Sequence, residues 1–342
     1  MRLSASLLAL ALPAAIQAQS LDLTINDVGL SIGDSRLLTG IRLNFRDRNM
    51  ERVTGINATI WAPYNDARGG EVVGLAVGVP LTGADRIQGA GVGLFGVAAE
   101  REFTGIGVGG FGVGSGGDAR GIMVGGFGVG AGGNVTGLTV GGFGAGAGGN
   151  VTGITIGGFG AGAGGDVTGL TAGVFGVGSG GDIRGITLGG FGAGAGGNVT
   201  GFTFGGFGAG AGGDISGITI GGFGAGAGGT LRGLAIGGIG VGAPRVRGVV
   251  LTAGAAGGHD VQGGVLAPVW FKLQSDDDGP MGRVKGVTIS SFNQVKGEQF
   301  GLSIGLVNYA WELNGVQLGL INYARSNRKG LRLLPLFNAE FR

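Results

Sequence analysis

Through the middle of the chain, apolar residues return to the same places every sixteen residues. In one copy, Gly137 to Thr152, Leu138 and Val140 alternate with Thr139, the period of two expected of a strand. Phe143, Ala145 and Ala147 then alternate with Gly144 and Gly146, out of phase with the first half. A straight strand puts adjacent residues on opposite faces, so the phase change predicts a corner. A second break falls at Gly148-Gly149-Asn150, residue types that accept positive φ and build turns. Two breaks per unit predict two short strands of about six residues each, forming one coil of a stack.

Phenylalanine recurs at 95, 111, 127, 143, 159, 175, 191, 207 and 223, with Ile239 in the tenth place. Taking Gly137 as the first place of the unit, equivalent glycines stand at every sixteenth position from Gly89 to Gly233. A looser version continues at Gly40, Gly55 and Gly74, and again at Gly248, Gly263, Gly286, Gly301, Gly315 and Gly330. That makes nineteen candidate units, with insertions at Asn65 to Gly70 and Ser275 to Pro280. The reading is all-β: a β-solenoid of sixteen-residue coils, its core filled mainly by the Phe and Leu/Val columns. Residues 19–39 form an N-terminal cap and 40–342 the array, regular over 89–247 and looser over 248–342. The rival reading is a transmembrane β-barrel with one strand per repeat, and Leu336 to Arg342 faintly resembles the last strand of such a barrel. Equal spacing, one mid-unit aromatic instead of two girdles, and Gly and Ala in place of a polar lumen all favour the solenoid.

The C-terminal units carry larger side chains. They read Gly301-Leu302-Ser303-Ile304-Gly305-Leu306-Val307-Asn308 and Gly315-Val316-Gln317-Leu318-Gly319-Leu320-Ile321-Asn322. Here the chain resembles uncharacterised bacterial surface-repeat proteins built on a Gly-Leu-x-Ile-Gly-Leu-Ile-Asn unit, over most of its length. It departs from them in the middle, where Gly-Gly-Phe-Gly replaces Gly-Leu-Ile-Asn. The resemblance implies export and a surface location, and carries no activity with it. Asn293, Asn308, Asn322 and Asn338 are read as a stack bonded from coil to coil.

Composition narrows the function. Glycine supplies 89 of 342 residues, several times the usual share of roughly 7%. The regular apolar columns argue against disorder, and glycine is not at every third place as collagen requires. Between Gly105 and Thr230 the only charges are Asp118, Arg120, Asp166, Asp182, Arg184 and Asp214. A net charge of +2 with no basic stripe argues against nucleic acid. Arg2, the apolar run Leu7 to Ile16 and Ala18 read as a signal peptide over 1–18, cleaved near Ala18 into a cell-surface, periplasmic or outer-membrane location of a bacterium. There is no cysteine for a disulfide or an acyl anchor.

No catalytic, cofactor-binding or metal-ligating residues are assigned. Gly128-x-Gly130-x-x-Gly133 matches a dinucleotide fingerprint, but no helical period follows it. Asp118, Asp166, Asp182 and Asp214 invite comparison with calcium-binding rolls, yet Asn134, Asn150, Asn198 and Thr230 share their column, which reads as turn chemistry. Threonines at 136, 152, 168 and 200, and at 139, 155, 171, 187, 203 and 219, raise ice binding as a minor alternative to ordinary solvent-facing strand positions. Tyr309, Trp311 and Tyr323 could stack on a glycan or pack over the cap. His259, the only histidine, has no nucleophile near it in the sequence, and Asp276-Asp277-Asp278 reads as a solvated loop. Asn134-Val135-Thr136 is a glycosylation match without weight in a bacterial protein. The expected function is an exported, non-enzymatic structural or interaction module, its partner a second copy or another cell-envelope component. The Gly144 and Gly146 columns, a flat bare-backbone face, are its expected docking surface.

Overall fold

A computed structural model describes residues 20–64, 70–275 and 281–341. The signal peptide, the Asp276 to Asp278 loop and most of the Asn65 to Gly70 insertion lie outside the described residues. The chain divides into two units, up to Gly158 and from Phe159 onward. Both are β-solenoids, with about 17 turns of roughly sixteen-residue coils in all.

In the first unit, the long strand Val135–Gly141 lies parallel to Val151–Gly157, pairing Val135 with Val151, Thr139 with Thr155 and Gly141 with Gly157. The short strand Gly144–Ala147 lies parallel to Gly128–Ala131, again one repeat apart. The second unit repeats this scheme: Val167 pairs with Ile183 along the long strands, and Gly176 with Gly192 along the short ones. A barrel with one strand per repeat needs antiparallel neighbours. Among the described residues, antiparallel pairs occur only near the two ends of the chain, where Ser20–Ile25 pairs with Val28–Gly33 and Leu333–Glu340 with Val307–Ala324. The barrel is thereby excluded.

The strands are seven and four residues long, not six and six. The difference follows from where the backbone is unusual. Positive φ is predicted at Gly148-Gly149-Asn150 but occurs at Gly137, in the middle of the long strand, at φ 124°. A β-carbon there would sit 2.1 Å from the carbonyl oxygen of Gly121 in the preceding coil. Gly148 is required for close approach only, since its β-carbon would lie 2.4 Å from the Gly132 oxygen. The column of positive-φ glycines begins at Gly29, which pairs with Gly40. Gly330 does not belong to it and lies instead in the 3₁₀ turn Lys329–Leu331.

The inside of each unit differs most from expectation. Val135, Val151, Thr139, Thr155 and Ala145 are buried, whereas Phe143 is 49% and Ile154 44% exposed. The second unit buries Val167, Ile183, Val199 and Ile215, the threonines Thr171 to Thr219, and Ala193 and Ala209. The Phe and Leu/Ile columns therefore point outward. The corner they flank is the narrow end of the coil: a β-carbon on Gly205 would lie 1.9 Å from Gly208 O and 2.9 Å from Ala193 N. No ring fits into that wedge, so valine, threonine and alanine fill the remainder.

The buried threonine column is a packing column. No acceptor among the described residues reaches the Oγ1 atoms of Thr139, Thr155, Thr171, Thr187, Thr203 or Thr219. The same inward place is held by Met123 in the first unit and by Ala235, Val250 and Val265 in the second. No hydrogen-bonding group is needed at this place, since methionine, alanine and valine substitute for threonine there.

Candidate interaction surface

On the long strands, residues alternate about the sheet, so burying Thr187 turns Ile186 and Leu188 outward. Ile186, Leu188, Phe204 and Ile218 are exposed in the second unit, and Ile106, Val108, Ile122, Val124, Ile154 and Ile156 in the first. Beside them run the corner phenylalanines. Phe159, Phe175, Phe191, Phe207 and Phe223 stack with centroids 4.8–5.0 Å apart and ring planes within 1–13° of each other. In the first unit, Phe111, Phe127 and Phe143 stack at 5.1 and 4.8 Å. Stacked aromatic pairs contribute about 0.5–1.5 kcal/mol each, so the ladder supports the stack even though half of each ring stays exposed.

The opposite border of this face is polar. Thr168, Arg184, Thr200, Ser216 and Arg232 line the rim, and next to them a turn ladder ties successive coils together. The backbone N–H of Asp182 donates to Asp166 Oδ1 at 2.8 Å, that of Asn198 to Asp182 Oδ1 at 2.7 Å, that of Asp214 to Asn198 Oδ1 at 2.8 Å, and that of Thr230 to Asp214 Oδ1 at 2.7 Å. Asp118 and Asn134 do the same in the first unit. Only one side-chain acceptor is needed, which is why Asp and Asn interchange. The second carboxylate oxygens pair with arginine: Arg184 bridges Asp166 and Asp182 at 3.2 and 2.6 Å, and Arg232 holds Asp214 at 2.7 Å. Among the described residues, no three His, Cys, Asp or Glu side chains are grouped to hold a metal ion.

The N–H donated from the next coil, more than the adjoining arginine, holds Asp118 below the ordinary carboxylate range, and Asp166 and Asp214 likewise. A carboxylate whose pKa is lower folded than unfolded stabilises above its unfolded value of about 3.9, and the gain disappears as pH falls through the folded value. The Asp118→Asn/Asp166→Asn/Asp214→Asn variant should therefore melt within about 2 °C of wild type at pH 7, because surface ion pairs contribute little. Below pH 4 the wild type should lose Tm more steeply than the variant. Parallel acid curves in differential scanning calorimetry would contradict this role for the column.

The remaining candidates are placed as follows. Thr136 and Thr139 lie on opposite faces of one strand, the first exposed and the second buried, so the two threonine columns do not form one array. The strand-facing-solvent reading of the second column is thus corrected. Gly128, Gly130 and Gly133 lead into the strand Val135–Gly141 and not into a helix. Tyr309 stacks on Tyr323 at 5.3 Å, and Trp311 Nε1–H donates to the Tyr309 hydroxyl at 3.0 Å. His259 lines a groove of about 1050 Å³ with Asp260, Arg245, Lys272, Gln274 and Arg283, which holds no Ser, Thr, Cys or Tyr. Two of the cations on its walls are engaged, Arg283 with Glu298 at 2.7 Å and Arg245 with Thr230 Oγ1 at 3.0 Å, and Lys272 lies 5.6 Å from the Trp270 ring centroid.

One network was not read from the sequence. Arg42 is fully buried and bonds to Asp47, to Asp34 at 2.7 Å and to Asn57 at 3.0 Å, a satisfied ionic plug near the N-terminal end. The signal for it was an arginine in the alternating run Leu37–Arg46, at the place that threonine takes later. In the asparagine stack, Asn293 Nδ2 donates to Asn308 Oδ1 at 2.8 Å and Asn308 Nδ2 to Asn322 Oδ1 at 2.7 Å. Asn338 is not part of it, because its strand runs antiparallel and it accepts from Asn327 at 2.9 Å instead. At the corners of these coils Leu306, Leu320 and Ile321 are exposed.

No protein-family model matches the chain, and no curated protein or solved structure is similar to it.

Proposed function

We propose that this chain is an exported, non-enzymatic module of the bacterial cell surface or periplasm, acting by contact through the outer face of its long strands. The observation that carries the reading is that a core of valine, isoleucine, threonine and alanine leaves the corner phenylalanines, and the aliphatic residues on either side of each buried threonine, on the outside. In each unit the exposed rings stack in a row beside exposed aliphatic side chains, and apolar surface gathered in this way marks contact sites. The resemblance of the C-terminal units to bacterial surface repeats and the signal-like N-terminus support the location.

Expression from the native N-terminus in a Gram-negative host, followed by fractionation and mass spectrometry of the intact protein, tests it. The expected product starts near Gln19 and is recovered from the periplasm, the cell surface or the medium without detergent. A full-length chain confined to the cytosol would overturn the reading.

A further inference from the structure

We infer that the occupant of the apolar face on the second unit is a second copy of this chain, packed face to face with dry contact between the two sheets. This deepens the reading of the chain as a contact module and rests on it.

Three observations converge. The first is area. Five half-exposed phenylalanines present roughly 100 Å² each, since a fully buried ring covers about 150–250 Å². With Ile186, Leu188, Phe204 and Ile218 the face reaches roughly 800 Å², the amount each partner contributes to a stable interface. The second is pitch. The rings repeat at 4.8–5.0 Å and stay nearly coplanar. A surface of matching corrugation must carry the same spacing, and another copy of these coils does. Stacked sheets about 10 Å apart interdigitate in this way, and a two-fold axis closes the pair so that it does not grow further. Rings already ordered against each other lose little freedom on docking.

The third is charge. Membrane-surface segments combine an apolar face with unneutralised Lys and Arg. Here Arg184 and Arg232 on the rim are already paired with Asp166, Asp182 and Asp214. The rim therefore offers no excess charge to draw lipid headgroups, and burying it strands no unpaired cation. The glycine face presents less to a partner: Gly178 is exposed with open space around it and no side chain to contribute.

The test uses the purified chain in three forms, wild type, Ile186→Arg/Ile218→Arg and Gly178→Arg, by light scattering coupled to size exclusion at about 50 µM. Wild type and Gly178→Arg should run at twice the chain mass. The double variant should run as a monomer, its dimer dissociation constant raised about a hundredfold or more by two charges from each copy in a dry interface. Circular dichroism should show unchanged β-structure, since both positions are exposed in the monomer. If the arginine pair proves misfolded, Ile186→Gln/Ile218→Gln tests the same face. A monomeric wild type, a dimer insensitive to the face variants, or a dimer lost only with Gly178→Arg would each overturn the inference. So would a monomeric wild type that co-sediments with phosphatidylcholine vesicles, which would assign the face to lipid. An exported but monomeric chain ends this inference and leaves the proposed function standing, whereas a cytosolic chain ends both.

Discussion

Replacing Gly201 by alanine is expected to destabilise the second unit by about 3–5 kcal/mol, among the largest effects of a single methyl group. Gly201 has φ 120°, and its new β-carbon would fall 2.2 Å from the Gly185 carbonyl oxygen and 3.0 Å from its carbon. Backbone in this region costs a side chain about 1–3 kcal/mol. The clash adds to this, because the obstructing atoms are backbone of the preceding coil and cannot rotate away. Relief requires separating two strands that pair in register from Ile183 with Val199 to Gly189 with Gly205, breaking hydrogen bonds of about 1 kcal/mol each. Gly178→Ala is the matched control. Its β-carbon meets nothing within 4 Å, and its φ is ordinary. That substitution should be neutral or should stabilise by about 0.4–1 kcal/mol through the unfolded chain. Urea midpoints for the two variants measure the contrast, and equal losses would show that the mid-strand glycine is not what sets the stacking distance.

The second large effect is at Asn308. Its side chain is fully buried, accepts from Asn293 at 2.8 Å, and donates to Asn322 at 2.7 Å and to Leu318 O at 3.0 Å. Asn308→Ala removes three bonds and leaves the Asn322 oxygen without that donor, a loss of about 3–4 kcal/mol. Asn308→Asp is nearly isosteric and should be worse at pH 7, since it removes both donors and buries a charge with no cation beside it. Burial would raise the folded pKa of that carboxyl above its unfolded value of about 3.9. The aspartate variant should accordingly regain stability as pH falls below the raised value, approaching the alanine variant or passing it. Melting curves of the three chains between pH 4 and pH 8 decide the matter, and an aspartate variant as stable as wild type at pH 7 would show that the ladder does not hold the coils together.

The ladder also marks a limit of counting along the sequence. By count, Asn308 aligns with Gly144. In the second unit the paired positions run Ala225, Val241, Ala256, Phe271, Asn293, Asn308, which is the inward alanine column. The C-terminal coil has one residue fewer before its second strand, and that single residue turns the asparagine inward. The glycine of Gly-Leu-Ile-Asn is then required to make room for the amide, since a β-carbon on Gly319 would lie 2.6 Å from Asn308 Nδ2. At the turn ladder the residues were easier to read, because Asp and Asn alternate freely wherever a single oxygen must accept the next coil's N–H.

Period, strand type, the two breaks in each coil and the stacking of like residues were all present in the order of residues, because identical places recurring at one interval can satisfy backbone hydrogen bonds only by lying over one another. Alternation divides the side chains between two faces but does not say which face is closed. Only the three-dimensional approach of the Gly-Ala strand to the long strand decided that, closing the corner to a wedge too thin for Phe143 or Phe207. The expectation that the Phe and Leu/Val columns fill the core therefore failed here, and the corner rings with the aliphatic residues flanking the buried threonines became surface, while Val135 and its equivalents stayed inside.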